Sequence, residues 1–176
     1  MKEIDLSSCK TENVEDMGNM FANCGKLKNI DLSTFITSKV TNMGAFFQSC
    51  SSLQKANLKH FNTDNAEVFS SMFQNCVYLT YIDISTFNLS KIESLNNMFY
   101  NCSSLSSLHL SKLKTENIKY KMNMFSHCTS LASLDLSGFN TTSATSMRDM
   151  FHILVSNFLI CHLLILEIVG FFLLCF

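Results

Sequence analysis

The sequence predicts an α/β solenoid with one short parallel strand and one helix in each 26-residue repeat. Six copies of one unit follow each other at this spacing, without insertion or deletion. A fixed period of this length is typical of stacked units that bury a shared core. An aliphatic residue marks each strand and a Phe marks each helix. The aliphatic residues are Leu6, Leu32, Leu58, Ile84, Leu110 and Leu136, and the Phe residues are Phe21, Phe47, Phe73, Phe99, Phe125 and Phe151.

An alternating segment in each copy predicts the strand. In the second copy, Ile30 and Leu32 are apolar, whereas Asp31 and Ser33 are polar. Alternation with period two is the pattern of a strand that is buried on one side. We therefore expect Ile30 and Leu32 to face the core, and the two polar residues to face solvent.

A second apolar pattern, later in each copy, predicts the helix. In the second copy its spacings are 3, 3, 1 and 3 residues, which places the apolar side chains on one helical face. These residues are Val40, Met43, Phe46, Phe47 and Cys50. A helix-capping residue opens the pattern in four copies, and Glu67 and Glu93 complete two capping boxes. The capping residues are Ser38, Asp64, Ser90 and Thr142.

Composition argues against several classes of function. The 13 Lys and Arg residues are scattered and the formal net charge is −1, whereas a nucleic-acid surface needs a basic stripe. The chain has five Gly and no Pro, and it contains no glycine-rich phosphate loop or dinucleotide motif. A catalytic pocket needs residues that break the repeat pattern and converge on one place, and the sequence shows no such set. We therefore expect no enzyme activity, no catalytic or metal-binding residues, no cofactor and no nucleic-acid partner.

The repeat divides the chain into two parts. Residues 1–151 are the six-copy solenoid, with a truncated last copy, and residues 152–176 are an apolar C-terminal segment. As a transmembrane helix, residues 153–176 would be long enough to span a bilayer and contact a membrane, although Glu167 lies within them. A frameshifted or aberrant end and a buried capping helix are the alternatives. Because residues 1–3 already fit the repeat, we expect no signal peptide, and we expect a segment or degraded frame of a longer repeat protein.

Three segments carry a family resemblance: Ile30 to Phe35, Thr37 to Met43 and Met98 to Leu105. They resemble the 26-residue repeat of BspA-type leucine-rich repeat surface proteins, and the resemblance extends from Met1 to Phe151. It implies a leucine-rich-repeat-like solenoid at a cell surface or membrane, with a role in adhesion or host protein binding. The Asn ladder of ordinary leucine-rich repeats is replaced here, so nearby polar residues must satisfy that turn. The replacing residues are Cys9, Phe35, Phe61, Phe87, Leu113 and Phe139.

The same repeat position holds Cys in five of the six copies, at Cys24, Cys50, Cys76, Cys102 and Cys128. The paired short spacings of zinc sites are absent, but stacking would bring neighbouring cysteines within disulfide range. We interpret these cysteines as buried, reduced thiols that pack as small apolar side chains. A threonine series is interpreted as stabilising turns, and the five His as incidental. The threonines are Thr11, Thr37, Thr63, Thr115 and Thr141.

The solvent-facing strand positions are the candidate ligand-binding site. We expect them on the concave face, where solenoids usually bind. One interpretation is a surface for cations or basic partners; the other is a set of side chains that bond to local hydroxyls and amides. The candidate residues are Asp5, Asp31, Asn57, Asp83, His109, Asp135, Ser33, Ser85, Ser111 and Ser137.

The repeat and the resemblance predict a non-enzymatic scaffold of the cell-surface type. It would bind protein or glycan ligands through the concave sheet, as adhesion proteins do. The alternative is a structural spacer, or a non-functional fragment of a longer surface repeat protein. A repeated scaffold by itself names no ligand.

Overall fold

The computed structural model describes residues 4–110 and 113–153, which form a stack of 26-residue coils. Coils 1 to 6 begin at residues 1, 27, 53, 79, 105 and 131. Four of them carry a strand: β1 (Asn29–Asp31), β2 (Lys55–Asn57), β3 (Ser107–His109) and β4 (Ser133–Asp135). β1 pairs with β2 and β3 with β4, both in parallel, and paired residues such as Ile30 and Ala56 are one repeat apart. Parallel stacking of the strands is therefore confirmed for these coils.

The predicted helix of each repeat is not present, since the described residues contain no helix. The segments in question are successions of turns. Their hydrogen bonds join residues three apart, as from the amide of Met20 to the carbonyl of Met17. A run of turns returns to the same side every three or four residues, so its apolar spacing resembles that of a helix. The predicted helix caps are wrong for the same reason, and the amide of Asp64 instead donates to Oδ1 of Asn62.

Backbone dihedral angles explain why these segments are not helical. Two residues in each turn segment have φ between 53° and 63°, and none of them is Gly. A left-handed residue at short intervals interrupts a right-handed helix. Asn adopts this conformation at a lower cost than most residues, and it occupies half of the positions. These Asn residues are Asn19, Asn23, Asn75, Asn97, Asn101 and Asn123.

Alternate amides of the turn segments donate to the next coil. In coil 1, the amides of Met17, Asn19, Phe21 and Asn23 reach carbonyls 25 residues later, at N–O distances of 2.7 to 2.9 Å. Amides between them, such as that of Ala22, close turns within the coil. A helix would satisfy its amides internally and leave few for a neighbour. The turn segment therefore ties successive coils together in addition to the strand pairing.

A column of phenylalanine rings runs through the core. Successive rings from Phe21 to Phe151 have centroids 5.5 to 5.9 Å apart and lie within 20° of parallel. Phe47, Phe73 and Phe99 are fully buried. Each inner ring thus has a stacked ring on both sides, and this column fills the core of successive coils.

The hydrogen-bonded stack is interrupted on one side between coils 3 and 4, an interface that we call the seam. Residues 81–83 form no regular strand and pair with neither β2 nor β3, so the sheet is divided at coil 4 into β1–β2 and β3–β4. No backbone hydrogen bond joins Lys55–Asn57 to Tyr81 or Ile82. The turn segments across the seam remain joined, as from Phe73 to Met98. The expectation of a strand in every copy is therefore wrong for coil 4, and residues 4–6 of coil 1 form no strand either.

The position of each ring in the Phe column predicts its contribution to stability. Phe73→Ala should lower the free energy of unfolding by about 3 to 5 kcal/mol, because Phe73 packs between two stacked rings. Phe21→Ala should cost less, since only Phe47 stacks on Phe21 within the column. Urea unfolding of both variants measures the difference. Equal losses would contradict a stack in which each coil depends on its neighbours.

The left-handed positions predict one stabilising substitution. Ala45 has φ of 53° at a position where coils 1, 4 and 5 use Asn. Ala45→Asn should raise the free energy of unfolding by roughly 0.5 to 1 kcal/mol, because Asn tolerates this conformation better than Ala. Ala22→Asn is the control, since Ala22 does not have positive φ. An equal gain at both sites in thermal unfolding would refute the dihedral explanation.

Candidate functional site: the strand face

The strand face is the row of solvent-facing strand positions predicted from the sequence. The structure brings four of its residues together as two pairs of neighbours. Asp31 and Asn57 are paired partners in β1 and β2, and His109 and Asp135 are partners in β3 and β4. Asp5, Asp31, Asn57, Asp83 and His109 are exposed, and Asp135 is half-buried. Ser33 is half-buried, Ser85 and Ser137 are exposed, and Ser111 lies outside the described residues.

Each aspartate of the strand face bonds to the amide two residues further along. Oδ1 accepts this bond over 2.9 to 3.0 Å, and the donors are the amides of Ser7, Ser33, Ser85 and Ser137. These amides hold the pKa values of Asp5 and Asp31 below the usual range, since they stabilise the ionised carboxylate. The carboxylates are therefore fixed in orientation at the end of each strand segment.

The strand face also contains a contact between coils. Nδ2 of Asn57 donates to Oδ1 of Asp31 over 3.0 Å, so an amide in coil 3 relieves the repulsion that a carboxylate there would create. Oδ1 of Asn57 accepts from the amide of Lys59, as the aspartates do from their serines. Local bonding of these side chains, one of the two interpretations of the column, is thus present. Binding of a ligand by the same face stays a prediction.

The repeat cysteines form a ladder of buried thiols. The four inner thiols each donate to a Phe carbonyl of the preceding coil, at 2.9 to 3.2 Å. Burial raises the pKa of Cys50 and of Cys128 to about 12, and it raises those of Cys76 and Cys102 as well. The prediction of buried, reduced thiols is confirmed for these four. Cys24 is exposed, because no described coil covers its outer side.

The buried threonines form hydrogen bonds to the backbone of the following coil. Oγ1 of Thr37 accepts from the amide of Asn62 over 2.8 Å and donates to the carbonyl of the same residue over 2.9 Å. Thr63 bonds to Asn88 in the same way. Each of these hydroxyls therefore satisfies the backbone of the following coil, and the predicted role in stabilising turns stays a prediction.

Lys121 is a buried cation that the sequence analysis did not identify. Its side chain is fully buried, its ammonium donates to the carbonyl of Ile118, and it lies 5.7 Å from the ring centroid of Phe139. Burial lowers the pKa of Lys121 to about 8. The sequence does mark Lys121 as a departure from the repeat, because the equivalent position is apolar in every other copy. Those residues are Met17, Met43, Phe69, Leu95 and Met147.

His127 makes two ring contacts near the end of the described chain, one of them with His152. The ring of His127 lies 5.7 Å from that of His152 and 5.3 Å from that of Tyr100, measured between centroids. Within residues 4–110 and 113–153, no group of three or more His, Cys, Asp or Glu is arranged to hold a metal ion. The histidine pair therefore lacks the further protein ligands that a metal site requires.

The predicted membrane segment falls mostly outside the described residues. Of residues 153–176, only Ile153 is described. In the part of the chain that the structure covers, no helix has the length and apolar character needed to cross a bilayer.

Comparison with known families identifies the repeat. The family model described as "Mycoplasma protein of unknown function, DUF285" matches residues 1–81 and 78–158. The chain belongs to this family. DUF285 is the family of BspA-like repeats, so the resemblance found in the sequence is confirmed. A comparison with curated proteins gave no match.

Three solved structures that match this chain are leucine-rich repeat proteins. One is a leucine-rich cell surface protein from Faecalibacterium prausnitzii, with 22% identity and a TM-score of 0.51 over 79% of this chain and 34% of that protein. A second, from T. pallidum, has 17% identity and a TM-score of 0.45, over 69% of this chain and 62% of that protein. A third, from Bacteroides ovatus, has 20% identity and a TM-score of 0.36, over 76% of this chain and 45% of that protein. The DUF285 chain spans less than two thirds of each structure. The similarity to the first one shows a leucine-rich-repeat-like fold.

The thiol ladder predicts how the stability of this DUF285 chain depends on pH. Above pH 9 the unfolded thiols ionise, whereas the four buried thiols stay protonated because their pKa values are raised. The unfolded state then binds fewer protons, so stability should fall from pH 9 upward by about 1.4 kcal/mol per pH unit for each thiol. Urea unfolding at pH 7 to 10.5 measures this loss. Cys76→Ala should reduce the slope, and an unchanged slope would contradict the assignment.

Burial of Lys121 predicts a change of stability with pH that is opposite in direction to that of the thiols and smaller. Because its pKa is lower in the folded state, Lys121 destabilises the protein at pH 7, and this loss is recovered as pH rises from about 8 to 10.5. Lys121→Met should raise the free energy of unfolding at pH 7 by about 2 kcal/mol. It should also steepen the loss of stability between pH 8 and 9, because the gain from Lys121 then no longer offsets part of the thiol effect. Lys119→Met is the control, since Lys119 forms an exposed ion pair with Glu93 and should change stability little. Destabilisation by Lys121→Met at pH 7 would disprove the interpretation.

Proposed function

We propose that this chain is a non-enzymatic scaffold of the cell-surface type, which binds protein or glycan ligands through its strand face. One observation carries the proposal: polar side chains recur on the strand face once per coil, and the aspartates among them are held in place by serine amides. A fixed, repeated row of acceptors is pre-organised, which lowers the entropy cost of binding an extended ligand. The similar F. prausnitzii structure is that of a leucine-rich cell surface protein, which is consistent with surface localisation.

Substitution of three carboxylates tests this function. The full chain and the triple variant Asp31→Asn, Asp83→Asn, Asp135→Asn are applied to an array of immobilised proteins and glycans. Asn57 shows that an amide Oδ1 accepts the same local bond, so the triple variant should melt within a few degrees of the wild type. Its binding to basic or hydroxyl-rich partners should weaken at least tenfold, since a carboxylate forms stronger hydrogen bonds than an amide.

A matched variant distinguishes an effect of the strand-face carboxylates from a general effect of negative charge. Glu12→Gln, Glu67→Gln and Glu116→Gln also remove three exposed carboxylates, but away from the strand face. These changes should leave array binding unchanged. Absence of binding by the wild-type chain, or equal loss in both triple variants, would refute the proposed function.

A further inference from the structure

The seam opens a half-open depression on the strand face. The depression has a volume of about 620 Å³ and is lined mainly by residues of coils 3 and 4, with Ala56 and Ile82 from these coils and Ile30 from coil 2 at its apolar part. Lys55 and Tyr81 also line it. Its volume falls within the range typical of ligand-binding pockets, roughly 300 to 1,000 Å³. The opening coincides with the interruption of the sheet, where the amides of Tyr81 and Ile82 donate to no carbonyl of coil 3.

Two departures from the repeat lie at this interface. Ala56 occupies the core-facing strand position that holds Ile or Leu in the other copies, so coil 3 fills less of the space beneath the sheet. Val68 stands where Asn42 accepts a hydrogen bond from the amide two residues on, a bond that Val68 cannot accept. Bridges join residues 42 and 68 and residues 94 and 120, but the described structure has none between 68 and 94. Both departures lie in coil 3, which meets coil 4 at the seam.

The lining determines which ligand would fit. Its apolar part suits one aliphatic or aromatic side chain. Lys55 and Lys59 lie in the lining together with one carboxylate, that of Asp83, so the charge of the lining favours an anion. The backbone amides of Tyr81 and Ile82 are donors that an extended backbone can satisfy. These three features match a peptide with an apolar residue beside an acidic one.

We propose that the depression at the seam binds an extended peptide segment in which an aromatic or aliphatic side chain is followed by a carboxylate. The apolar side chain enters beside Ala56, and the carboxylate pairs with Lys55 or Lys59. This inference rests on the proposed function and specifies one class of protein ligand for the strand face.

Small peptides test the pocket directly. N-acetyl-phenylalanyl-glutamate amide is titrated into the full chain at millimolar concentrations, with NMR shifts as the readout. Shifts should centre on Ala56, Tyr81 and Ile82. The phenylalanyl-glutamine and alanyl-glutamate analogues should each bind at least threefold more weakly, because each lacks one of the two recognised groups. Equal affinity for all three peptides, or no binding, would overturn the proposal.

Ala56→Ile separates loss of binding from loss of folding. Ile is present at this position in coils 2 and 4, so the variant should melt at the same or a higher temperature while filling the depression and abolishing the peptide shifts. Lys55→Gln with Lys59→Gln should weaken binding of the acidic peptide, whereas Lys26→Gln with Lys28→Gln, exposed in coils 1 and 2, should not. Peptide binding that Ala56→Ile leaves intact would disprove the pocket. If array binding still depended on the strand-face aspartates, the proposed function would survive that result.

Discussion

The stack depends on hydrogen bonds between backbones one repeat apart. Strand residues pair with the strand of the next coil, and alternate amides of the turn segment donate to the next turn segment. A 26-residue unit buries too little apolar surface to offset the conformational entropy of ordering it alone. Neighbouring coils supply both the missing hydrogen bonds and the second wall of each core layer. The fixed length of the repeat follows, because an inserted residue would misalign every later bond in the coil.

The same constraint explains the polar residues of the interior. Thr37 and Thr63 satisfy the backbone of the next coil, and the thiols of Cys50 and Cys76 donate to the preceding one. Each of these side chains is small enough to be repeated at every level of the stack without steric conflict. Among the described side chains, no buried polar atom lacks a hydrogen-bond partner. The conserved spacing of the repeat thus serves backbone pairing as much as apolar packing.

The sequence predicted what depends on a simple alternation and missed what depends on backbone dihedrals. Inward Ile30 and outward Asp31 follow from period two. The turn segment was misinterpreted because its 3, 3, 1, 3 spacing suits both a helix and a run of turns, although recurring Asn at residues 19, 97 and 123 signals left-handed backbone. Lys121 and Ala56 were visible as departures from their columns. The loss of strand pairing at the seam was not visible in the sequence, because it depends on how far two coils separate.

The direction of the bonds between coils has a mechanical consequence. Because they join one coil to the next, they lie along the axis of the stack, so a pull on the two ends of the chain would load them one interface at a time. Each coil released would lengthen the tether by about 90 Å, the extended span of 26 residues. The seam, with fewer bonds on its strand side, would open first. A stack of this kind would therefore lengthen in steps under load.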